Sequence, residues 1–133
     1  RPILVDNIDD HHMHRETFAI PDETSRKILK ALVHRQPVVC IGTTSLRTLE
    51  TAWDGSKLVS QGASRLFLKP GHPPKVPCGL LTNFHLPESS LFILICSLLG
   101  TRQAHEIYAE AIRLSYRFFS YGDAMLIQGR SQK

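Results

Sequence analysis

Val38-Val39-Cys40-Ile41-Gly42-Thr43-Thr44-Ser45-Leu46-Arg47-Thr48-Leu49-Glu50 decides the fold of this chain. Val38 to Ile41 is apolar and rich in β-branched residues, which predicts a buried strand. Gly42 frees the backbone, and Thr43, Thr44 and Ser45 turn the chain into a helix with Leu46, Leu49 and Trp53 on one face. Asp54-Gly55 stops that helix. A buried strand feeding a helix is half of an α/β layer. Upstream, Thr17 to Ile20 predicts a short strand, and Pro21-Asp22 opens another helix. Asp22 can cap it, Glu23 suits its positive end, and Ile28, Leu29, Leu32 and Val33 form its apolar face. Pro37 follows it.

Downstream, Leu58 to Ser64 receives no element, and Leu66 to Leu68 predicts a strand. Pro70 to Pro77 holds four of the chain's eight prolines and reads as a loop. Gly79 to Thr82 predicts a strand. A third helix starts within Pro87 to Ser90 and runs apolar to Leu99, where Gly100 ends it. A fourth begins at Thr101, with Ala104, Ile107, Tyr108, Ala111 and Ile112 at helical spacing. Tyr116 to Asp123 is a loop, and Ala124 to Ile127 a last strand. Arg1 to Val5 reads as the tail of a strand. The class is therefore α/β, a partial layered sheet with flanking helices, and residues 1–133 show no repeat or linker that would divide a single domain. The strands are few for a complete doubly wound domain, and Arg1 resembles a cut end, so a piece of a longer protein is expected.

Of the 133 residues, 42% are hydrophobic and 21% charged, a globular balance, and no apolar run reaches the length of a membrane span. The net charge of +4 comes from scattered basic residues; it permits a polyanionic partner without a run of nucleic-acid-binding density. An odd count of three cysteines without paired-ligand spacing suggests a reducing compartment. Cys40 and Cys96 read as small core residues. Cys78 precedes Gly79 in a loop, a weak nucleophile candidate.

Four stretches mix polar and aromatic groups in a way that a core does not need, since each buried polar group must find a partner. The turn at Thr43, Thr44 and Ser45, with Arg47 on the first helical turn, offers free N–H groups and a forked donor to a carboxylate or phosphate. Plain capping by those hydroxyls, with Arg47 paired to Glu50, accounts for the same residues. Asp10-His11-His12-Met13-His14-Arg15-Glu16 invites a metal reading. On an extended chain, however, His12 and His14 point opposite to His11, so no metal is assigned. Acid–base or substrate contacts through His14 and Glu16 are the alternative. Asn83 and His85 stand before the third helix and can hold a ligand and move protons, or simply brace the turn. Tyr116, Phe118, Phe119 and Tyr121 place four of the ten aromatic residues in six positions, interleaved with Arg117, Ser120 and Asp123. Such a loop can clamp a planar base, or plug a core with Arg117 and Asp123 as an ion pair.

Together, Asp-His-x-Met-His-x-Glu at 10–16, Gly-Thr-Thr-Ser-x-Arg-x-Leu-Glu at 42–50, Leu-Leu-Thr-Asn-Phe-His-Leu-Pro-x-Ser-x-Leu at 80–91 and Tyr-Arg-Phe-Phe-Ser-Tyr-Gly-Asp-Ala-Met-Leu-Ile at 116–127 resemble the S-adenosylmethionine:tRNA ribosyltransferase-isomerases of queuosine biosynthesis. The resemblance runs from about Pro2 to Ile127. It implies the C-terminal part of the family's larger α/β domain, without its inserted β-barrel domain. It also implies a cytoplasmic enzyme that moves the ribosyl part of S-adenosylmethionine onto 7-aminomethyl-7-deazaguanine at the tRNA wobble position, isomerising it to give epoxyqueuosine. The partners implied are tRNA carrying that precursor and S-adenosylmethionine, with no membrane and no cofactor beyond this co-substrate.

On that resemblance, catalytic roles fall to His14, Glu16, His85 and Asp123. Substrate binding falls to Thr43, Thr44, Ser45, Arg47, Asn83, Tyr116, Arg117, Phe118 and Tyr121. The chain departs from the family pattern at Arg15, where Ser is usual, and over Lys69 to Pro74, where Lys69-Pro70-Gly71-His72 replaces an aromatic-Pro-Gly-aromatic run and Pro74 breaks the aromatic pattern again. Those departures support an alternative, a divergent, non-catalytic tRNA-binding or interaction module. The piece alone is expected to be inactive and to self-associate through open sheet edges.

Overall fold

The computed structural model describes residues 15–64, 66, 68–86 and 89–128. The expected strand tail at Arg1 to Val5 and the His-rich stretch up to His14 lie outside the described residues. The elements are β1 (Glu16–Ala19), α1 (Asp22–Val33), β2 (Val39–Ile41), α2 (Thr43–Ala52), β3 (Gln61–Ser64), β4 (Gly79–Asn83), α3 (Ser90–Leu99), α4 (Thr101–Arg113) and β5 (Ala124–Ile127). The α/β class holds. β1 pairs antiparallel with β3, and a second sheet has the order β2-β4-β5, with β2 parallel to β4. The described residues group into two compact units, one drawn from 15–66, 75–82 and 126–128, the other from 68–74 and 83–125.

In the first unit, Leu32, Cys40, Leu46, Leu49, Ala52, Val76, Cys78 and Leu80 are buried. Helix α1 starts at Asp22 with no side-chain cap, so Asp22 does not cap it as expected; Asp22 and Glu23 instead sit in its positive first turn. It ends where Arg35 takes a left-handed φ of 56° and Gln36 N–H reaches back to Ala31 O at 2.8 Å, a Schellman closure sealed by Pro37. β2 departs from the expectation of a wholly buried strand: Val39 is 53% and Ile41 73% exposed, and only Cys40 is buried. A parallel strand is buried throughout only when both faces are covered, and here the side bearing Val39 and Ile41 is open.

Gly42 joins β2 to α2 at φ 88°, a region closed to most side chains, while its N–H donates to Leu81 O at 2.8 Å. Glu50 accepts the N–H groups of Lys75 and Val76 at 2.8 Å each, which ties α2 to the segment that enters β4. Leu66 and Leu68 are not in a strand, contrary to expectation. Leu66 N–H turns instead to Ser64 Oγ at 2.9 Å.

The second unit is built on α3, whose residues 92–97 are all buried, as a helix apolar on every side must be. Ser89 caps it, accepting from Phe92 N at 3.1 Å and donating to Leu86 O at 2.7 Å. Gly100 turns the chain directly into α4, which packs on α3 through Ala104, Tyr108 and Ala111, the i, i+4, i+7 stripe. Ile112, expected on that face, is exposed. Ser115 at φ 60° and Tyr116 N–H on Ala111 O at 2.9 Å close α4 as α1 is closed, and this closure aims residues 116–123.

Candidate active site

Phe84 is the hub of the second unit's polar and aromatic cluster. Its ring stacks on Phe118 at 5.2 Å between centroids and meets the edges of Tyr108 at 5.4 Å and Tyr116 at 5.7 Å. Its carbonyl accepts Phe119 N–H at 3.0 Å, and Phe119 holds a left-handed φ of 58° to make that bond. Asn83 Nδ2 donates to Asp123 O at 3.2 Å. Two bonds, one from the Asn83 side chain and one to the Phe84 carbonyl, therefore pin the 116–123 loop to the 83–85 turn. Inside the loop, Asp123 Oδ2 accepts Arg117 N–H at 2.5 Å and Arg117 Nε–H at 3.3 Å. These donors hold the Asp123 carboxyl below the usual carboxylate range, the main-chain bond contributing most.

The rings of the loop divide into two sets. Phe118 is half-buried and spent on Phe84 and Tyr108, whereas Tyr116, Phe119 and Tyr121 are exposed, Tyr121 by 69%. The packed plug is present in Phe118, while the exposed rings meet Phe84 through Tyr116 and one another through Phe119 and Tyr121. The expected Arg117–Asp123 ion pair forms. His85 is half-buried, its main-chain N–H donates to Tyr108 Oη at 3.0 Å, and burial pulls its imidazole below the ordinary histidine value. At neutral pH this imidazole is a base rather than a cation. Burial likewise pushes the Tyr108 hydroxyl up, so it stays protonated and can accept from His85.

The first unit carries the other candidates. Thr43, Thr44 and Ser45 form the first turn of α2, but none caps it, because Gly42 occupies the cap position. Thr43 is buried; Thr44 and Ser45 are exposed. The expected local Arg47–Glu50 pair does not form. Glu50 is engaged by main-chain donors, and Arg47 Nη2 instead donates to Glu16 Oε1 at 2.8 Å, across to β1. The Arg47 side chain is only 14% exposed, its Nε is buried without a partner, and the Glu16 side chain is 47% exposed. Thr44, Thr48 and Ser64 line the same narrow crevice. His14 lies outside the described residues.

A family model described as a queuosine biosynthesis protein matches residues 1–127. The chain belongs to the queuosine biosynthesis family. It is similar to the S-adenosylmethionine:tRNA ribosyltransferase-isomerase of Anaeromyxobacter dehalogenans strain 2CP-C, 42% identical over 130 residues that cover 97% of this chain and 38% of that protein. It is similar also to the enzyme of the same name from Heliobacterium modesticaldum, at 44% over 130 residues, 96% of this chain and 38% of that protein. Among solved structures it resembles the S-adenosylmethionine tRNA ribosyltransferase of Thermotoga maritima, with a TM-score of 0.77 and 40% identity over 84% of this chain and 40% of that chain. The chain thus spans about two fifths of the length of these members of the queuosine biosynthesis family.

Phe84, Tyr108 and Gly122 belong to the cluster but were not singled out by sequence. Phe84 stands between two residues that were. Tyr108 lies on an apolar helical stripe and reads as core. Gly122 shows its role only in three dimensions, where a Cβ would stand 2.9 Å from the Arg117 guanidinium.

Proposed function

We propose that this chain supplies part of the active site of an S-adenosylmethionine:tRNA ribosyltransferase-isomerase. That enzyme joins the ribosyl moiety of S-adenosylmethionine to 7-aminomethyl-7-deazaguanine at the tRNA wobble position and isomerises it to give epoxyqueuosine. The observation that carries this reading is the paired anchoring of residues 116–123 onto 83–85, through Phe119 N–H on Phe84 O and Asn83 on Asp123 O. Two stretches that the sequence separates by some thirty residues are thereby held together, so that Asn83 and the turn bearing His85 are joined to the loop bearing Tyr116, Arg117, Tyr121 and Asp123.

The reaction class has uses for each. The sulfonium acidifies the adjoining sugar carbon, so a modest base such as the His85 imidazole suffices to take its proton. Adenine then leaves more readily where donors such as Asn83 stabilise it. The exposed rings of Tyr116 and Tyr121 offer surface on which a purine or deazaguanine stacks, with Asp123 holding Arg117 and Phe118 packing the loop onto Phe84 and Tyr108. In the first unit, Arg47 with Thr43, Thr44 and Ser45 suits a methionine carboxylate or a tRNA phosphate, and Glu16, together with His14, suits the substrate amine or a proton transfer. No metal or redox cofactor is needed for these steps.

The test is turnover in an intact relative carrying, at the positions matching this chain, Asn83→Ala, His85→Ala and Asp123→Ala. Losses of tenfold or more in each support the assignment; near-normal rates in all three remove it. At about two fifths of its relatives' length, the chain by itself is proposed to be inactive, and adenine release from S-adenosylmethionine and precursor tRNA by the isolated chain would contradict that. Among the described residues β2 lies at the edge of its sheet, with Val39 and Ile41 exposed, which supports self-association of the isolated chain; light scattering reads that directly.

A further inference from the structure

We propose that Cys40 and Cys78 are a dithiol redox site, converted by a hydroperoxide into an intramolecular disulfide that ties β2 to the segment entering β4. Cys40 is the middle residue of β2 and lies opposite Leu80 of its parallel partner, while Cys78 immediately precedes that partner strand. Gly79 N–H donates to Val38 O at 2.8 Å, which sets Cys78 opposite Val38 and so makes it the diagonal neighbour of Cys40 on the same face of the pairing. Both are buried free thiols, and their sulfurs stand 3.9 Å apart, in direct contact. A disulfide needs about 2.05 Å between sulfurs and a shorter Cα separation than a diagonal pair has, so closure takes rotation of both side chains and a shift of the backbone at Cys78, the one of the two that lies outside its strand.

Two buried thiols in contact are inert unless an oxidant can reach one of them. Cys40 lines a hollow of about 330 Å³ between α1, β2 and α2, bounded by Ile20, Ile28, Val38, Thr44 and Leu49. That space admits a hydroperoxide. Burial works against the thiolate at both residues; Cys40 is the one that borders the hollow, and so the one an entering peroxide meets. Cys96 differs: it is buried in α3, in the other unit, with its thiol raised by burial.

The step balances with the peroxide as oxidant. The Cys40 sulfur attacks one peroxide oxygen, the O–O bond breaks, and Cys40 sulfenic acid forms as water or an alcohol leaves. The Cys78 sulfur then attacks the Cys40 sulfur, the S–O bond breaks, and the disulfide forms with release of water. Two thiol protons leave in the two small products, and two electrons pass from sulfur to oxygen. A small thiol reverses the change by exchange.

The experiment treats the native chain with hydrogen peroxide, quenches in acid, alkylates and maps the peptides. No Lys or Arg lies between Cys78 and Cys96, so trypsin leaves both on the 76–102 peptide. Fragmentation of that peptide in the unaltered chain assigns the bond, and a Cys96→Ser variant repeats the assignment. Alkylatable thiols are expected to fall from three to one, with Cys40 linked to Cys78, Cys96 free, and full return with dithiothreitol. Three thiols still alkylated, Cys40 stopped at sulfinic acid, a bond to Cys96, or an intermolecular disulfide would each overturn the proposal.

Discussion

The Arg117 guanidinium lies directly over Gly122, with Cζ and Nη2 each 2.9 Å from the point a Cβ would occupy. Gly122 also holds φ at 127°, where an L side chain is strained. Gly122→Ala therefore acts twice, once through the backbone and once by pushing Arg117 off Asp123. A loss of about 1–3 kcal/mol is expected from the backbone alone. In an Arg117→Ala background the contact is gone but the backbone strain stays, so the second change costs less there than in the unaltered chain. Urea unfolding of the four proteins reads the difference; equal costs in both backgrounds would show that Arg117 does not rest on Gly122.

Tyr108→Phe keeps the ring among Phe84, Phe92 and Phe118 but removes the acceptor for His85 N–H. A half-buried donor left without its partner costs about 1–2 kcal/mol. The expected results are a lower urea midpoint and faster amide exchange at His85, with no change at residues far from the turn. An unchanged exchange rate at His85 would mean that the hydroxyl does not hold that turn.

Much of this arrangement was legible in the chain, and the parts that were not have identifiable physical causes. Helix α3 declares itself because a long apolar run, a Ser cap and a terminal Gly all agree, and α4 because Ala104, Tyr108 and Ala111 recur at helical spacing. β3 does not, since Gln61-Gly62-Ala63-Ser64 has no strand-forming side chain; it exists because β1 pairs with it. There Phe18 lies across Gly62, where a Cβ would stand 3.0 Å from the ring. The α2 start was read as hydroxyl capping because local rules favour Thr and Ser, but Gly42 at positive φ takes that position while bonding Leu81. Arg47 and Glu50 were expected to find each other along the helix. Tertiary partners outbid a local pair that contributes only a few tenths of a kcal/mol. The motif residues at 83–85 and 116–123 were legible as a set, but their joining by Phe84 and Phe119 main-chain atoms leaves no mark on side-chain identity.

The Glu16–Arg47 bridge is asymmetric, and its two deletions should differ. Glu16→Ala leaves the mostly buried Arg47 with an unpartnered Nε and no carboxylate, at a cost of roughly 1–3 kcal/mol. Arg47→Met fills the crevice with apolar volume and frees a half-exposed Glu16 to meet water, so its cost is the smaller. Denaturant midpoints in the order unaltered, Arg47→Met, Glu16→Ala are expected; the reverse order would place the stabilising weight on the arginine's stem instead of on the pairing of its charge.

Stability should fall on the acid side of neutrality through His85. Burial lowers its native pKa below the ordinary 6.5, so between the two values the unfolded chain binds more protons than the native one. The slope of unfolding free energy with pH is then positive in that window. His85's contribution is fully present above about pH 6.5, declines as the pH falls toward the native value, and levels off below it. His85→Gln removes the titration while keeping a polar side chain in place. Urea midpoints at pH 7.5, 6.5, 5.5 and 4.5 should drop more steeply for the unaltered chain than for His85→Gln across the acid limb of that window. Parallel curves would show that His85 titrates alike folded and unfolded, which would also withdraw the reason for treating its imidazole as a ready base at neutral pH.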